Sequence, residues 1–129
     1  MGVAIRTEGS GGGTASISVS GLSLSAAPDP KGLAPLNGYF ASFTATVTDV
    51  SSPQGFVVDP SDFYLEGSDG TRYTLTSGNS ASAAGSHALG HVSVEPGQSI
   101  SGTLVIDESS AHGWVVYAPQ GHPTDTWWF

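Results

Sequence analysis

Apolar and polar residues alternate with a period of two along most of this chain. The longest case begins at Tyr39. Tyr39, Ala41, Phe43, Ala45 and Val47 fall on one side, Ser42, Thr44, Thr46 and Thr48 on the other, and Phe40 is out of phase near the start. Successive side chains of a strand point to opposite faces, so this pattern predicts a β-strand with one face buried. Earlier, Ala15, Ile17 and Val19 alternate with Ser16, Ser18 and Ser20, and after Gly21 the apolar set moves to Leu22 and Leu24. A phase flip at a glycine predicts a β-bulge or a strand that changes sheets. Further short strands are predicted at Phe56-Val57-Val58, at Val92-Ser93-Val94, through Ile100, Gly102, Leu104 and Ile106, at Trp114 to Tyr117, and at Trp127-Trp128-Phe129. Phe63 and Leu65 match Tyr73 and Leu75 across Gly67-Ser68-Asp69-Gly70, a hairpin signal.

The segments between are turn-formers. Ala26 to Asn37 holds three prolines, Ser51 to Gly55 and Glu95-Pro96-Gly97 are turn clusters, and Thr76 to Gly90 reads as a long loop. Gly121 to Thr126 is expected to connect the last two strands. About seven to nine short strands with turns between them predict an all-β, immunoglobulin-like β-sandwich, with a closed barrel as the second possibility. Phe43, Val47, Phe63, Leu65, Leu104 and Ile106 are the expected core. Residues 1–13, containing Gly9-Ser10-Gly11-Gly12-Gly13, read as a flexible tether, and 14–129 as the domain.

Composition agrees with strands over helices. The 129 residues include 18 glycines and 31 serines and threonines, and only 11% are charged. Ser and Thr compete with the helix for backbone hydrogen bonds, and Gly loses the most entropy on ordering. There is no cysteine, so no disulfide, thiol nucleophile or Cys-based zinc site can form. Three basic residues against eleven acidic ones give a net charge of −8. Nucleic acid and anionic membrane surfaces both require clustered cations, so neither is an expected partner. The opening residues lack the basic and apolar regions of a secretory signal. The chain therefore reads as cytosolic or as the mature portion of an exported protein.

Three segments carry a family resemblance. Pro60 to Tyr73, PSDFYLEGSDGTRY, is similar to a central hairpin written roughly P-S-D-F-x-L-x-x-x-D-G-x-x-Y. Val94 to Ile106, VEPGQSISGTLVI, resembles a later L-x-P-G-x-x-x-x-G-x-L-V-F strand. Tyr39 to Val50 resembles the long first core strand. In that order and spacing they resemble the telokin-like domain of unknown function of bacterial lipoproteins and membrane-anchored proteins, related in fold to the mycobacterial immunoprotective extracellular antigen. The resemblance covers about Thr14 to Phe129. It implies a sandwich displayed outside the membrane behind an N-terminal anchor and spacer, and it supplies no catalytic residues.

The candidate chemistry is sparse. His87 and His91 have H-x-x-x-H spacing, with Glu95, His112 or His122 as a third ligand. Gly85 and Gly90 flank the pair, no helical period surrounds it, and no Glu follows His87 as a base, so solvated loop histidines are expected. Asp59, Asp62 and Asp69 lack the ordered loop of a calcium site and read as caps and turn-formers. Gly97 to Gly102 is one residue too long for a nucleophile elbow and leads into a strand. Asp107 and Glu108 are adjacent, point to opposite faces and suit a strand end better than a glycosidase pair. No enzyme, metal or cofactor is expected. Trp114, Trp127, Trp128, Tyr64 and Phe40 could instead form an aromatic platform, and Trp128, Trp114 and Tyr64 are the candidate contacts. The sequence thus points to a non-catalytic extracytoplasmic display or protein-interaction module with an unknown protein partner. The alternatives are a carbohydrate-binding module built on exposed aromatics and a structural spacer.

Overall fold

The structure, a computed structural model, describes residues 4–8, 14–49, 56–83, 85 and 87–129. Ten strands run through them: β1 Ala4–Glu8, β2 Thr14–Ser25, β3 Tyr39–Asp49, β4 Phe56–Val58, β5 Phe63–Gly67, β6 Arg72–Tyr73, β7 Val92–Val94, β8 Ser99–Glu108, β9 Gly113–Tyr117 and β10 Asp125–Trp128. One antiparallel sheet has the order β1-β2-β3-β8 and a second the order β10-β9-β5-β6, while β4 and β7 form a two-stranded ribbon. The two four-stranded sheets face each other as an immunoglobulin-like sandwich. Each keeps its own edge strands, so the barrel alternative is not adopted.

The alternation read from the sequence is what packs the sandwich. Ala15, Ile17, Val19, Ala41, Phe43, Val47, Leu104 and Ile106 from the first sheet meet Phe63, Leu65, Val115, Tyr117 and Trp127 from the second. All six expected core residues are buried. Phe43 reaches across to Phe63 with ring centroids 6.4 Å apart, and Phe63 stacks at 5.0 Å on Tyr117, its cross-strand neighbour. Burial beside the carboxylates of Asp62 and Asp125 pushes the Tyr117 hydroxyl well above the usual tyrosine range.

The phase flip at Gly21 is a bulge. Ser20 pairs with Thr44 and Ser23 with Ser42, so β2 carries one extra residue there, and Gly21 sits at φ 65°, where a side chain would be strained. Leu22 and Leu24 consequently pack against the core. A second glycine is needed for close approach. A Cβ on Gly102 would come within 2.4 Å of the Leu89 backbone, because residues 87–89 run along the edge of β8. There the Thr103 N–H donates to the His87 carbonyl at 2.8 Å, and the Leu89 N–H to the Thr103 carbonyl at 3.1 Å. This covers an edge that would otherwise be open.

Several boundaries differ from the sequence reading. Within the expected tether, Ala4–Glu8 is a strand paired antiparallel with Thr14–Ser18, since a strand across the edge of β2 satisfies backbone groups that glycine content alone says nothing about. Residues 9–13 and the expected turn at 51–55 lie outside the described residues. Leu75 is not in β6, because Thr74 starts a turn closed by Ser77 N–H to the Thr74 carbonyl. The long loop contains one helical turn, Ser80–Ala83. The last strand begins earlier than expected, with Asp125 paired to Tyr117, so the connection is shorter than Gly121 to Thr126.

Asp107 locks the loops at one end of the sandwich. Its carboxylate accepts from the backbone N–H groups of Leu36 at 2.7 Å, Asn37 at 2.8 Å and Asn79 at 2.8 Å, and its own N–H donates to Ser80 Oγ at 2.7 Å. Glu108 beside it is also buried. Its Oε2 accepts from the Ser110 N–H, while Oε1 has no partner among the described residues. Desolvation raises the Glu108 carboxyl above the ordinary glutamate value, against the lowering effect of the Ser110 bond. The two carboxylates do end a strand as expected, but as buried structural groups.

Candidate functional site

The outward positions of the second sheet form two rungs. In the first, Trp128 of β10 opposes Trp114 of β9, Trp114 opposes Glu66 of β5, and Glu66 opposes Arg72 of β6. In the second, Thr126 opposes Val116, and Val116 opposes Tyr64. Facing residues on one side of a sheet lie within contact distance, so each rung is a continuous strip of side chains. Trp128 is 56% exposed and meets Trp114 edge-on, with ring centroids 4.6 Å apart. Aromatic pairs favour this geometry because the positive ring edge meets the negative face.

Arg72 does not pair with the carboxylate opposite it. Its guanidinium carbon lies 4.1 Å from the centroid of the Tyr64 ring, a cation–π contact on the diagonal. This buries Tyr64 to 7% exposure and leaves Glu66, half-buried, without an ion pair among the described residues. Glu66, Trp114, Val116 and Thr126 enclose a shallow cavity of about 240 Å³. Its wall is an indole, its floor apolar, and its polar groups are one carboxylate and one hydroxyl. Such a surface can stack a flat apolar face and accept hydrogen bonds at the rim.

This corrects the aromatic platform expected from the sequence. Of the three candidate contacts, Trp128 and Trp114 offer surface and share a face, whereas Tyr64 is covered by Arg72, Val116 and Ala118. Phe40 and Trp127 are buried as well. Trp127 and Trp128 take opposite sides of β10 as the alternation requires, with Trp127 in the core. Glu66, Arg72 and Thr126 were missed. The signal that could have found them is the hairpin register, which sets Glu66 against Arg72 once Asp69-Gly70 is taken as the turn.

Comparison with known proteins bears on the fold. The structure superposes on the crystal structure of MPT63, a secreted protein from Mycobacterium tuberculosis, with a TM-score of 0.72, over 97% of this chain and 91% of that one, at 22% sequence identity. The sandwich architecture is therefore shared with that protein. Scans of protein-family models and of curated proteins find no match.

The remaining candidate residues lie away from this face. His87 begins the segment that covers β8 and His91 follows it, and both are exposed, as are His112, His122 and Glu95. Among the described residues, no three His, Asp or Glu side chains are grouped so as to share a metal. Asp59 caps the short 3₁₀ turn Pro60–Asp62, accepting from the Ser61 N–H at 2.9 Å and the Ser61 hydroxyl at 2.7 Å; these bonds hold its carboxyl below the usual aspartate value. Asp69 accepts from the Thr71 N–H at 3.0 Å in the β5–β6 turn, with the same effect on its carboxyl. Ser99, in the segment tested as a nucleophile elbow, lies in β8 and shares a 2.9 Å hydrogen bond with the Thr48 hydroxyl. Elsewhere an open groove of about 650 Å³ runs between Leu22 and Leu24 of β2 and Trp128 and Phe129, with His112 on its rim. Trp128 thus belongs to both the groove and the outer face.

Proposed function

We propose that this chain is a non-catalytic, extracytoplasmic binding module that engages its ligand through the outer face of the β10-β9-β5-β6 sheet. The observation that carries the reading is Trp128, a large apolar side chain left 56% exposed beside Trp114 on an otherwise regular sheet. An indole left in water forgoes the burial that would stabilise it, and exposed aromatic clusters mark interaction surfaces. Location outside the membrane is supported by the resemblance to telokin-like domains and by the shared fold with a protein described as secreted. It is carried there either as a secreted chain or behind an N-terminal anchor.

The test is retention on native cell envelopes. Wild-type protein is expected to bind and Trp128→Ala, still folded by its melting curve, to be released. Retention of neither would favour a structural spacer, and equal retention of both would overturn this face as the binding surface.

A further inference from the structure

We propose that the cavity bounded by Trp114, Glu66, Val116 and Thr126 is a carbohydrate-binding subsite for a neutral, pyranose-based glycan. This rests on the reading of that face as the binding surface and names its ligand class.

The argument begins with size. Adjacent strands are about 4.8 Å apart and alternate residues about 7 Å, so two rungs across four strands span roughly 14 by 7 Å, on the order of 100 Å². A stable protein interface takes about 800 Å² from each partner. The rungs alone fall well short of such an interface, and the cavity they hold, about 240 Å³, has room for a small ring.

The side chains then select the chemistry. A pyranose presents a face of C–H groups and a rim of hydroxyls. The Trp114 indole, which lines the cavity, offers an apolar surface for the first, with the exposed Trp128 ring packed beside it. Glu66 opposes Trp114 directly in the register, and its carboxylate has no ion pair among the described residues. It can accept bonds from hydroxyl donors, and charge-assisted bonds of this kind are stronger than neutral ones. Thr126 contributes a hydroxyl that both donates and accepts. Arg72, the cross-strand neighbour that could have donated to this carboxylate, is held over Tyr64, which leaves its oxygens open to a ligand. The same guanidinium sets a positive charge beside the cavity. This disfavours a cationic ligand such as a quaternary ammonium, which an aromatic-plus-carboxylate site would otherwise suit.

The experiment uses the whole chain on a glycan array of neutral hexose and N-acetylhexosamine oligosaccharides, followed by titration calorimetry with the best binder and, separately, with choline. Saturable binding to a neutral glycan is expected. Glu66→Gln, which keeps the side-chain shape, should weaken it about tenfold or more, and Thr46→Val on the other sheet should leave it unchanged. Melting curves confirm that each variant is folded. Absence of glycan binding, binding indifferent to Glu66→Gln, or choline binding lost in Glu66→Gln would each overturn the proposal. If Trp128-dependent retention on envelopes persists while no glycan binds, the carbohydrate assignment fails and the binding module stands. Loss of both removes both.

Discussion

The outer faces of the two sheets follow the same alternation and end in different chemistry. On the first sheet three rungs of outward residues across β2, β3 and β8 are hydroxyls in register: Ser16, Thr48 and Ser99 form one rung, Ser18, Thr46 and Ser101 the next, and Ser20, Thr44 and Thr103 a third. Neighbours satisfy one another there, with Thr46 Oγ1 2.8 Å from Ser101 Oγ and Thr48 Oγ1 2.9 Å from Ser99 Oγ. On the second sheet the outward residues are two indoles, a carboxylate, a guanidinium, a phenol, a valine and a threonine. The indoles pair along a rung and the guanidinium meets the phenol on the diagonal, which leaves Glu66 over. The inner faces are equivalent halves of one core, so folding does not require the outer faces to differ. A strand's inward positions are constrained by packing, and its outward ones can be given over to solubility or to recognition.

The largest expected effects test that equivalence of the inner faces. Phe43→Ala in the first sheet and Phe63→Ala in the second should each cost about 3–5 kcal/mol in chemical denaturation, through lost burial and the cavity left behind. A much smaller cost on one side would show that the sheets do not share the core equally. Next is Arg72→Ala, which uncovers Tyr64. Removing the cation–π contact should cost about 0.5–1 kcal/mol, and the near-ultraviolet circular dichroism of Tyr64 should change. Thr46→Val on the hydroxyl face removes one exposed hydrogen bond and should stay within about 0.5 kcal/mol. If it costs more than Arg72→Ala, the hydroxyl ladder is a structural device and the contrast between the faces is misdrawn.

A pH-dependent effect lies outside both faces and serves as a control. Glu108 is buried with its carboxyl raised by desolvation, so the folded state favours its neutral form. Its contribution to stability is complete below the unfolded glutamate pKa and is lost as pH rises through the higher folded value. Glu108→Gln should therefore raise stability near neutral pH, by on the order of 1 kcal/mol, and the gain should shrink as pH falls and the wild-type carboxyl protonates. Melting temperatures across that range check the sign. A gain that grows toward acid pH would contradict the assignment.

Local pattern carried most of the fold. The ten-residue alternation from Tyr39 and the flip at Gly21 fixed which residues face inward, because both depend only on neighbours in sequence. Strand β1 was not legible. Its partner Thr14–Ser18 decides its structure, and the adjacent glycines suggested a tether. Asp107 was read as an ordinary strand end, since the N–H groups it accepts belong to loops 28 and about 70 residues away. The candidate site was half legible for a similar reason. Trp128 and Trp114 were apparent from residue type, but the burial of Tyr64 and the isolation of Glu66 follow from where Arg72 places its guanidinium, and only the folded register shows that.

Everything proposed for this protein depends on recognition at the outer face of the second sheet. The three tryptophans provide an internal test: Trp114 and Trp128 lie on that face, and Trp127 lies in the core. The measurement is a ¹H–¹⁵N correlation spectrum of the protein during titration with soluble cell-envelope polysaccharide. The account predicts that the indole N–H signals of Trp114 and Trp128 and the amides of Glu66 and Thr126 shift together, while the Trp127 indole and the amides of Thr44, Thr46 and Thr48 hold still. Shifts confined to the hydroxyl face would overturn recognition on the outer face of the second sheet, and a spectrum unchanged at saturating polysaccharide would overturn the carbohydrate assignment.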